Sequence, residues 1–320
     1  MIDLELRGGK KAVKWEEFRK QFLELKNLQV KPNTKTKYKF VLGRLTTYLS
    51  SKRITLLHEL DAELLADYSR ARQQDTHPTT KMPLGPEGLK NDLRILRSAF
   101  NYAIECKYIA ENPVIAKSLK SISGQTRPFS KSEIALMLGN PYVSRSPKRW
   151  ALISCFLYTG LRISDVSAMQ KKAVDLKGGA ILLRTTKRDK DVFLGLHPEL
   201  RAAIEDHLAN LNHAQKFSPF LFSTDTGKQD WPQSLDAKLR RIFIHCGVEK
   251  GHAHRFRDTF AVGLLEQGAS LYDVSKLLGT TVAVCELHYA PYVGELRARA
   301  KTLVGKLSFA PEKSQLEHSG

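Results

Sequence analysis

The sequence predicts a mainly α-helical protein with one small β-sheet, an α+β chain built as two domains. Three observations predict it. From residue 12 to about 118, apolar residues recur at spacings of three and four, the period of a helix with one buried face. Residues 119–129 (LKSISGQTRPF) then break the pattern with small and polar residues and a proline, as a linker does. Beyond them, helical periods resume around a single pair of strand-like runs. The resulting boundaries are a first domain at 1–118, the linker at 119–129, a second domain at 130–310 and a polar tail at 311–320 expected to be disordered.

Four helices are expected in the first domain. Trp15, Phe18 and Phe22 share one face of the first. The second follows Pro32 and Asn33, with Tyr38, Val41, Leu42, Leu45, Tyr48 and Leu49 as its apolar stripe. Leu64, Leu65 and Tyr68 mark a third. A polar stretch with Pro78, Pro83 and Pro86 cannot be regular helix throughout. In the fourth helix Leu89, Leu93, Leu96, Phe100 and Ala103 form the stripe, while Lys90, Arg94 and Arg97 point elsewhere. Basic outer faces of this kind suit a polyanion, although any single lysine or arginine among them reads as a solvated surface residue.

The second domain opens at Ser130, an N-cap for a helix carrying Glu133, Leu136 and Met137. A helix over 148–158 ends at Gly160, and another restarts at Ser164. AILLRT (180–185) and DVFLGL (191–196) flank the charged turn TKRDK and predict a β-hairpin. Helical patterns return over 198–211, 234–246, 255–267 and 271–278.

Composition narrows the partner. The 51 lysines and arginines outnumber the 33 acids and give a net charge of +18. Such a surface favours nucleic acid, because neutralising phosphates releases condensed counterions. An anionic membrane is the weaker alternative, since no lipidation motif or basic amphipathic anchor stands out. No run of apolar residues is long enough to span a bilayer, and MIDLELRGGKK lacks a signal-peptide core. Cys106, Cys155, Cys246 and Cys285 lie far apart without a CxxC pair, which fits thiols in a reducing compartment and neither a disulfide frame nor a zinc site. The expectation is a cytoplasmic protein.

Four fragments carry residue types suited to phosphate chemistry. In TGLRISD (159–165), Arg162 restarts a helix after a glycine and presents a planar fork of donors, with Asp165 three residues on to hold it. Lys187 lies in the hairpin turn, where a long ammonium can reach into a groove; Arg188 and Lys190 are rivals for that role. In HRFRDTF (254–260), His254 and Arg257 share a helical face while Phe256 and Phe260 anchor the other. An imidazole beside a guanidinium can bind phosphate and move a proton. Finally LLGT (277–280) precedes HYAPY (288–292), which brings Tyr289 out near a proline. Each fragment alone also has a plain structural reading: an ion pair, a turn lysine, a helix cap, a core tyrosine.

Together, and in this order, the four fragments resemble the tyrosine recombinase family, the phage integrases and their bacterial relatives. The resemblance spans roughly residues 15 to 300. It implies that the first domain is a helical, SAM-like core-binding domain and the second a catalytic domain. It implies that Arg162 and Arg257 clamp the scissile phosphate, that His254 assists proton transfer from Tyr289, and that Lys187 protonates the leaving oxygen. Tyr289 would attack phosphorus and leave a 3′-phosphotyrosine with a free 5′-hydroxyl. Neither cofactor nor metal is implied. The partners would be double-stranded DNA with inverted-repeat core sites, three further copies in a tetramer on two duplexes, and accessory DNA-bending proteins. The setting would be the nucleoid. Lys90, Arg94 and Arg97 are the candidate DNA contacts of the first domain.

The chain departs from the family pattern in places. Thr280 stands where the family usually has histidine or tryptophan, Asp258 where histidine is common after the second arginine, and Asp165 where glutamate is more usual. A threonine donates one hydrogen bond but is shorter than imidazole, so weaker transition-state stabilisation is expected. Two other readings share these residues: a type IB topoisomerase-like nicking and closing enzyme, and a DNA-binding relative with weak or no catalysis.

Overall fold

The computed structural model describes residues 12–76, 84–115, 126–187 and 189–292. The chain divides into two compact units, residues 1–122 and 123–320. Pro78, Pro83, residues 119–125, Arg188 and everything beyond residue 292, including the polar tail at 311–320, lie outside the described residues.

The first unit contains α1 (Trp15–Gln29), α2 (Pro32–Ser51), α3 (Ala62–Gln74) and α4 (Pro86–Glu105). Helix α2 starts at Pro32 itself, not after Asn33, because proline's fixed φ and missing N–H suit the first helical turn. Asp61 caps α3, its carboxylate accepting from the Leu64 N–H at 2.8 Å. The expected stripes close one core. Trp15, Phe18 and Phe22 pack with Leu42, Leu45 and Leu49 of α2 and with Leu96 and Phe100 of α4. The indole N–H of Trp15 is satisfied by Thr46 Oγ1 at 2.8 Å. The buried pair of Arg72 with Asp92, at 3.0 Å, ties α3 to α4.

The second unit runs α5 (Lys131–Gly139), α6 (Pro141–Ser144), α7 (Pro147–Thr159) and α8 (Ile163–Ala168) before its sheet. Three antiparallel strands follow: β1 (Val174–Asp175), β2 (Ala180–Arg184) and β3 (Asp191–Gly195), in the order β1-β2-β3. The hairpin expected from the sequence is β2–β3, with Ile181 opposite Leu194 and Arg184 opposite Asp191. Ile181, Val192 and Leu194 face the core. The helices α9 (Pro198–Ala209), α10 (His213–Phe217), α11 (Pro232–His245), α12 (Ala253–Glu266), α13 (Leu271–Leu277) and α14 (Val282–Tyr289) complete the described part. Ser130 caps α5 as expected, in a reciprocal box with Glu133. Helix α7 is buried from Ala151 to Phe156 and again at Thr159, and it packs into the core with Phe156 stacked on Phe256 of α12. Among the described residues, no helix is long and apolar enough to cross a membrane.

Candidate active site

Arg257 is the point on which the site is built. It lies one turn into α12 and is only 3% exposed. Its Nη1 donates to the carbonyl of Gly160 at 3.0 Å, and its Nη2 to the carbonyl of Leu278 at 2.8 Å. One guanidinium therefore binds two turns that are far apart in sequence. The first, at the end of α7, leads two residues on to Arg162. The second, at the end of α13, leads two residues on to Thr280. Both turns require glycine. Gly160 and Gly279 each have φ +58°, and a Cβ at Gly160 would stand 2.6 Å from the Phe260 ring on α12. A Cβ at Gly279 would stand 2.9 Å from Val192 on β3, so this glycine lets the α13 end pack on the hairpin.

Arg162 is the N-cap residue of α8, with its side chain mostly buried. Asp165 faces it in a loose ion pair, in keeping with the sequence expectation. Their nearest atoms, Nη1 and Oδ2, are 3.9 Å apart. The other oxygen of Asp165 is committed to the hairpin turn, accepting from both the N–H and the hydroxyl of Thr186 at 2.8 Å. This contact is what delivers Lys187. The lysine follows Thr186 directly and is exposed at the turn, so the buried carboxylate stitches the lysine's loop to the arginine's helix. Arg184 and Asp189 close the same loop at 2.6 and 2.8 Å, with Asp189 at φ +54°.

Tyr289 is the last residue of α14, a helix the sequence reading did not anticipate. Thr281 caps its start, and Cys285 and Tyr289, one turn apart, face inward. The segment at Thr126 fastens its end: the Thr126 hydroxyl donates to the His288 carbonyl at 2.9 Å, and Tyr292 donates to the Thr126 carbonyl at 2.8 Å. Tyr289 is 4% exposed and its hydroxyl donates to Asp258 Oδ1 at 3.1 Å. Burial, then the negative charge of Asp258, push the phenol's pKa well up, and Arg257 opposes them. At neutral pH Tyr289 is therefore the neutral phenol.

His254 stands one turn before Asp258 on α12. Among the described residues its ring makes no hydrogen bond to Tyr289; that contact belongs to Asp258. Burial against its neighbours lowers the pKa of His254; Asp258 raises it, while Arg257, His252 and Arg162 lower it further. As a residue, His254 is nonetheless exposed. Arg257 is brought down to about 10, first by burial and then by the nearby charge of Arg162, and it stays cationic at neutral pH. Two arginines, an imidazole and a phenol thus share one electrostatic neighbourhood. Thr280 is 7% exposed, and its hydroxyl has no hydrogen-bond partner among the described residues.

Other expected residues are tied up elsewhere. Arg97 donates to the Val114 carbonyl at 2.6 Å and so braces the end of the first unit rather than pointing to solvent. Lys90 pairs with Glu87 at 3.3 Å, and Arg94 donates to Asn91 at 2.8 Å. Arg255, which sequence reasoning passed over, is buried. It pairs with Glu133 at 2.7 Å, donates to the carbonyls of Arg127, Pro128 and Glu249, and stacks on Phe129. The alternation of Arg255 inward and His254 outward could have been read from Phe129 and Glu133 only with the fold in hand.

Known proteins resemble this chain in both of its units. Residues 129–282 match the phage integrase family, a match that stops short of Tyr289, and residues 16–119 match the phage integrase SAM-like domain. The tyrosine recombinase XerC of Lactobacillus delbrueckii subsp. bulgaricus is 25% identical over 211 residues, covering 62% of this chain and 70% of the relative. Among solved structures, the Tn1549 transposon integrase bound to circular intermediate DNA superposes with a TM-score of 0.72 at 17% identity, covering 90% of this chain and 99% of that one. A lambda integrase tetramer bound to a Holliday junction gives 0.66 at 16% identity, covering 84% of this chain and 78% of that one. Two matched domains in the family's order span most of the sequence, and the chain belongs to the phage integrase family: it is a tyrosine recombinase.

Proposed function

We propose that this recombinase cuts and rejoins DNA at specific sites with Tyr289 as its nucleophile. The observation that carries the reading is the position of Arg257. Its bonds to Gly160 and Leu278 draw the Arg162 turn, the Thr280 turn and the hairpin of Lys187 around the helix that bears His254. Arg162 and Arg257 then bind the non-bridging oxygens of one phosphate and stabilise the charge that develops as phosphorus becomes five-coordinate. Thr280 adds one hydroxyl donor. His254 assists proton movement at the phosphate. Lys187 protonates the 5′-oxygen as it leaves. The bond energy is kept in a 3′-phosphotyrosine, and attack by the 5′-hydroxyl of a second duplex reverses the step.

Double-stranded DNA with inverted core sites is the substrate in this reading, and four copies on two duplexes are the working assembly, by analogy with the lambda integrase tetramer. Accessory DNA-bending proteins would assist, and the place of work is the nucleoid. The test is a nicked suicide substrate carrying the target site. Wild-type protein should form a covalent protein–DNA adduct that Tyr289→Phe does not form. Adduct formation by Tyr289→Phe, or binding of the site without any wild-type adduct, contradicts the reading. The second result would mark a DNA-binding relative.

A further inference from the structure

Asp258 is, among the described residues, the one side chain that hydrogen-bonds the Tyr289 hydroxyl. Its Oδ1 accepts the Tyr289 hydroxyl at 3.1 Å. Both residues are nearly closed to solvent, at 7% and 4% exposure, so bulk water has little access to the proton. The sequence placed Asp258 where the family commonly has histidine, and the order of motifs assigned the proton to His254. Among the described residues, His254 lies one helical turn behind Asp258 and makes no hydrogen bond to the phenol.

Building on the assignment of Tyr289 as nucleophile, we infer that Asp258 is a catalytic residue, the direct acceptor of the Tyr289 proton. As Tyr289 Oη bonds to phosphorus, the P–O5′ bond breaks. The hydroxyl proton passes to Asp258 Oδ1, and the departing O5′ takes a proton from Lys187. In the return step the 5′-hydroxyl attacks phosphorus and gives its proton to Lys187, while Asp258 returns its proton to the tyrosine oxygen. Protons and electron pairs balance in both directions. A free carboxylate is a weak base towards a free phenol. The phenol becomes far more acidic as its oxygen bonds to phosphorus, and that is when the transfer occurs. The groups around this pair are Arg257, which favours the phenolate, the Cys285 thiol one turn before Tyr289, which opposes it, His254 and His252 on the near end of α12, and Arg162, whose charge bears on His254 and Arg257.

The test compares single-turnover cleavage by wild type, Asp258→Asn, Asp258→Glu and Lys187→Ala at saturating protein. Two substrates are used, the ordinary suicide duplex and one with a 5′-bridging phosphorothiolate, whose sulfur leaves without protonation. Asparagine keeps the shape and an accepting oxygen but cannot take a proton. Asp258→Asn should cleave about 100-fold more slowly or worse near pH 7. Its rate should climb steadily with pH as the phenolate forms unaided, whereas the wild-type rate should be flat from pH 6 to 8. The phosphorothiolate should rescue Lys187→Ala and leave Asp258→Asn slow. Four outcomes overturn the assignment: a wild-type rate and profile in Asp258→Asn, faster cleavage by it, rescue of it by the phosphorothiolate, or a slow rate that does not climb with pH. If Asp258→Asn fails to bind DNA, Asp258→Glu decides, since its retained carboxylate requires a flat profile and a climbing one overturns the idea. A wild type that forms no adduct at all overturns the nucleophile itself, a distinguishable result.

Discussion

Thr280 is smaller than the histidine or tryptophan that the family usually has there, and among the described residues its buried hydroxyl has no hydrogen-bond partner, which costs stability. An orphaned donor beside the Arg257 turn makes sense if a phosphoryl oxygen completes it. Thr280→Val keeps the volume and removes the hydroxyl. The free protein should be unchanged or more stable by about 1 kcal/mol in urea unfolding, while cleavage should fall several-fold. Loss of stability with unchanged cleavage would show the hydroxyl to be structural. Arg162, His254, Arg257 and Tyr289 were singled out by the order of residue types along the chain, and the fold brings them into one electrostatic neighbourhood. The partner of Tyr289 was not legible. It lies 31 residues away on another helix, and no local spacing records that contact. Asp165 was legible only in part: its ion pair with Arg162 could be read from the spacing, while its second partner, Thr186, lies 21 residues away across the fold.

Elements were legible where a long amphipathic period exists. Helix α4 buries Leu89, Leu93, Leu96, Phe100 and Ala103, the stripe read from spacing alone. Helix α14 was hidden because VAVCELHY is short and apolar, with β-branched Val282 and Val284, and shows no helical period. Strand β1, with two residues, and the four- and five-residue helices α6 and α10 carry too few positions to show any period. What the sequence did mark was the glycine that ends α13. Gly279→Ala must strain a φ of +58° and press a methyl group against Val192 at 2.9 Å. The left-handed backbone alone costs about 1–2 kcal/mol. We expect at least that loss in denaturant unfolding, together with slower cleavage, because β3 carries the hairpin of Lys187. Slower cleavage should also appear at temperatures where the variant is fully folded. Full activity there would show that the α13 turn does not position the lysine.

For the whole molecule, the excess of positive charge is the dominant property. A net charge of +18 predicts DNA binding driven largely by counterion release. Affinity should fall by about three powers of ten between roughly 50 and 200 mM salt, linearly on logarithmic axes. A shallow slope would mean that few phosphates are contacted. The charge did not reveal which side chains make the contacts. Arg97 looked like a candidate on the α4 surface, but it braces Val114, a use of charge that composition cannot distinguish from DNA binding. The division into two units at residues 122 and 123 falls within the break in helical period that the sequence shows over 119–129, which depends on the order of residues and not on composition.

The central claim is that Tyr289 becomes joined to DNA, and the position of the joint can be read directly. Wild-type adduct on a suicide substrate is digested with nuclease and protease, and the nucleotide-bearing peptide is located by mass spectrometry. The account predicts one modified residue, Tyr289, with the phosphate on its phenolic oxygen. A nucleotide on Tyr292, three residues later, or on any other side chain would contradict it.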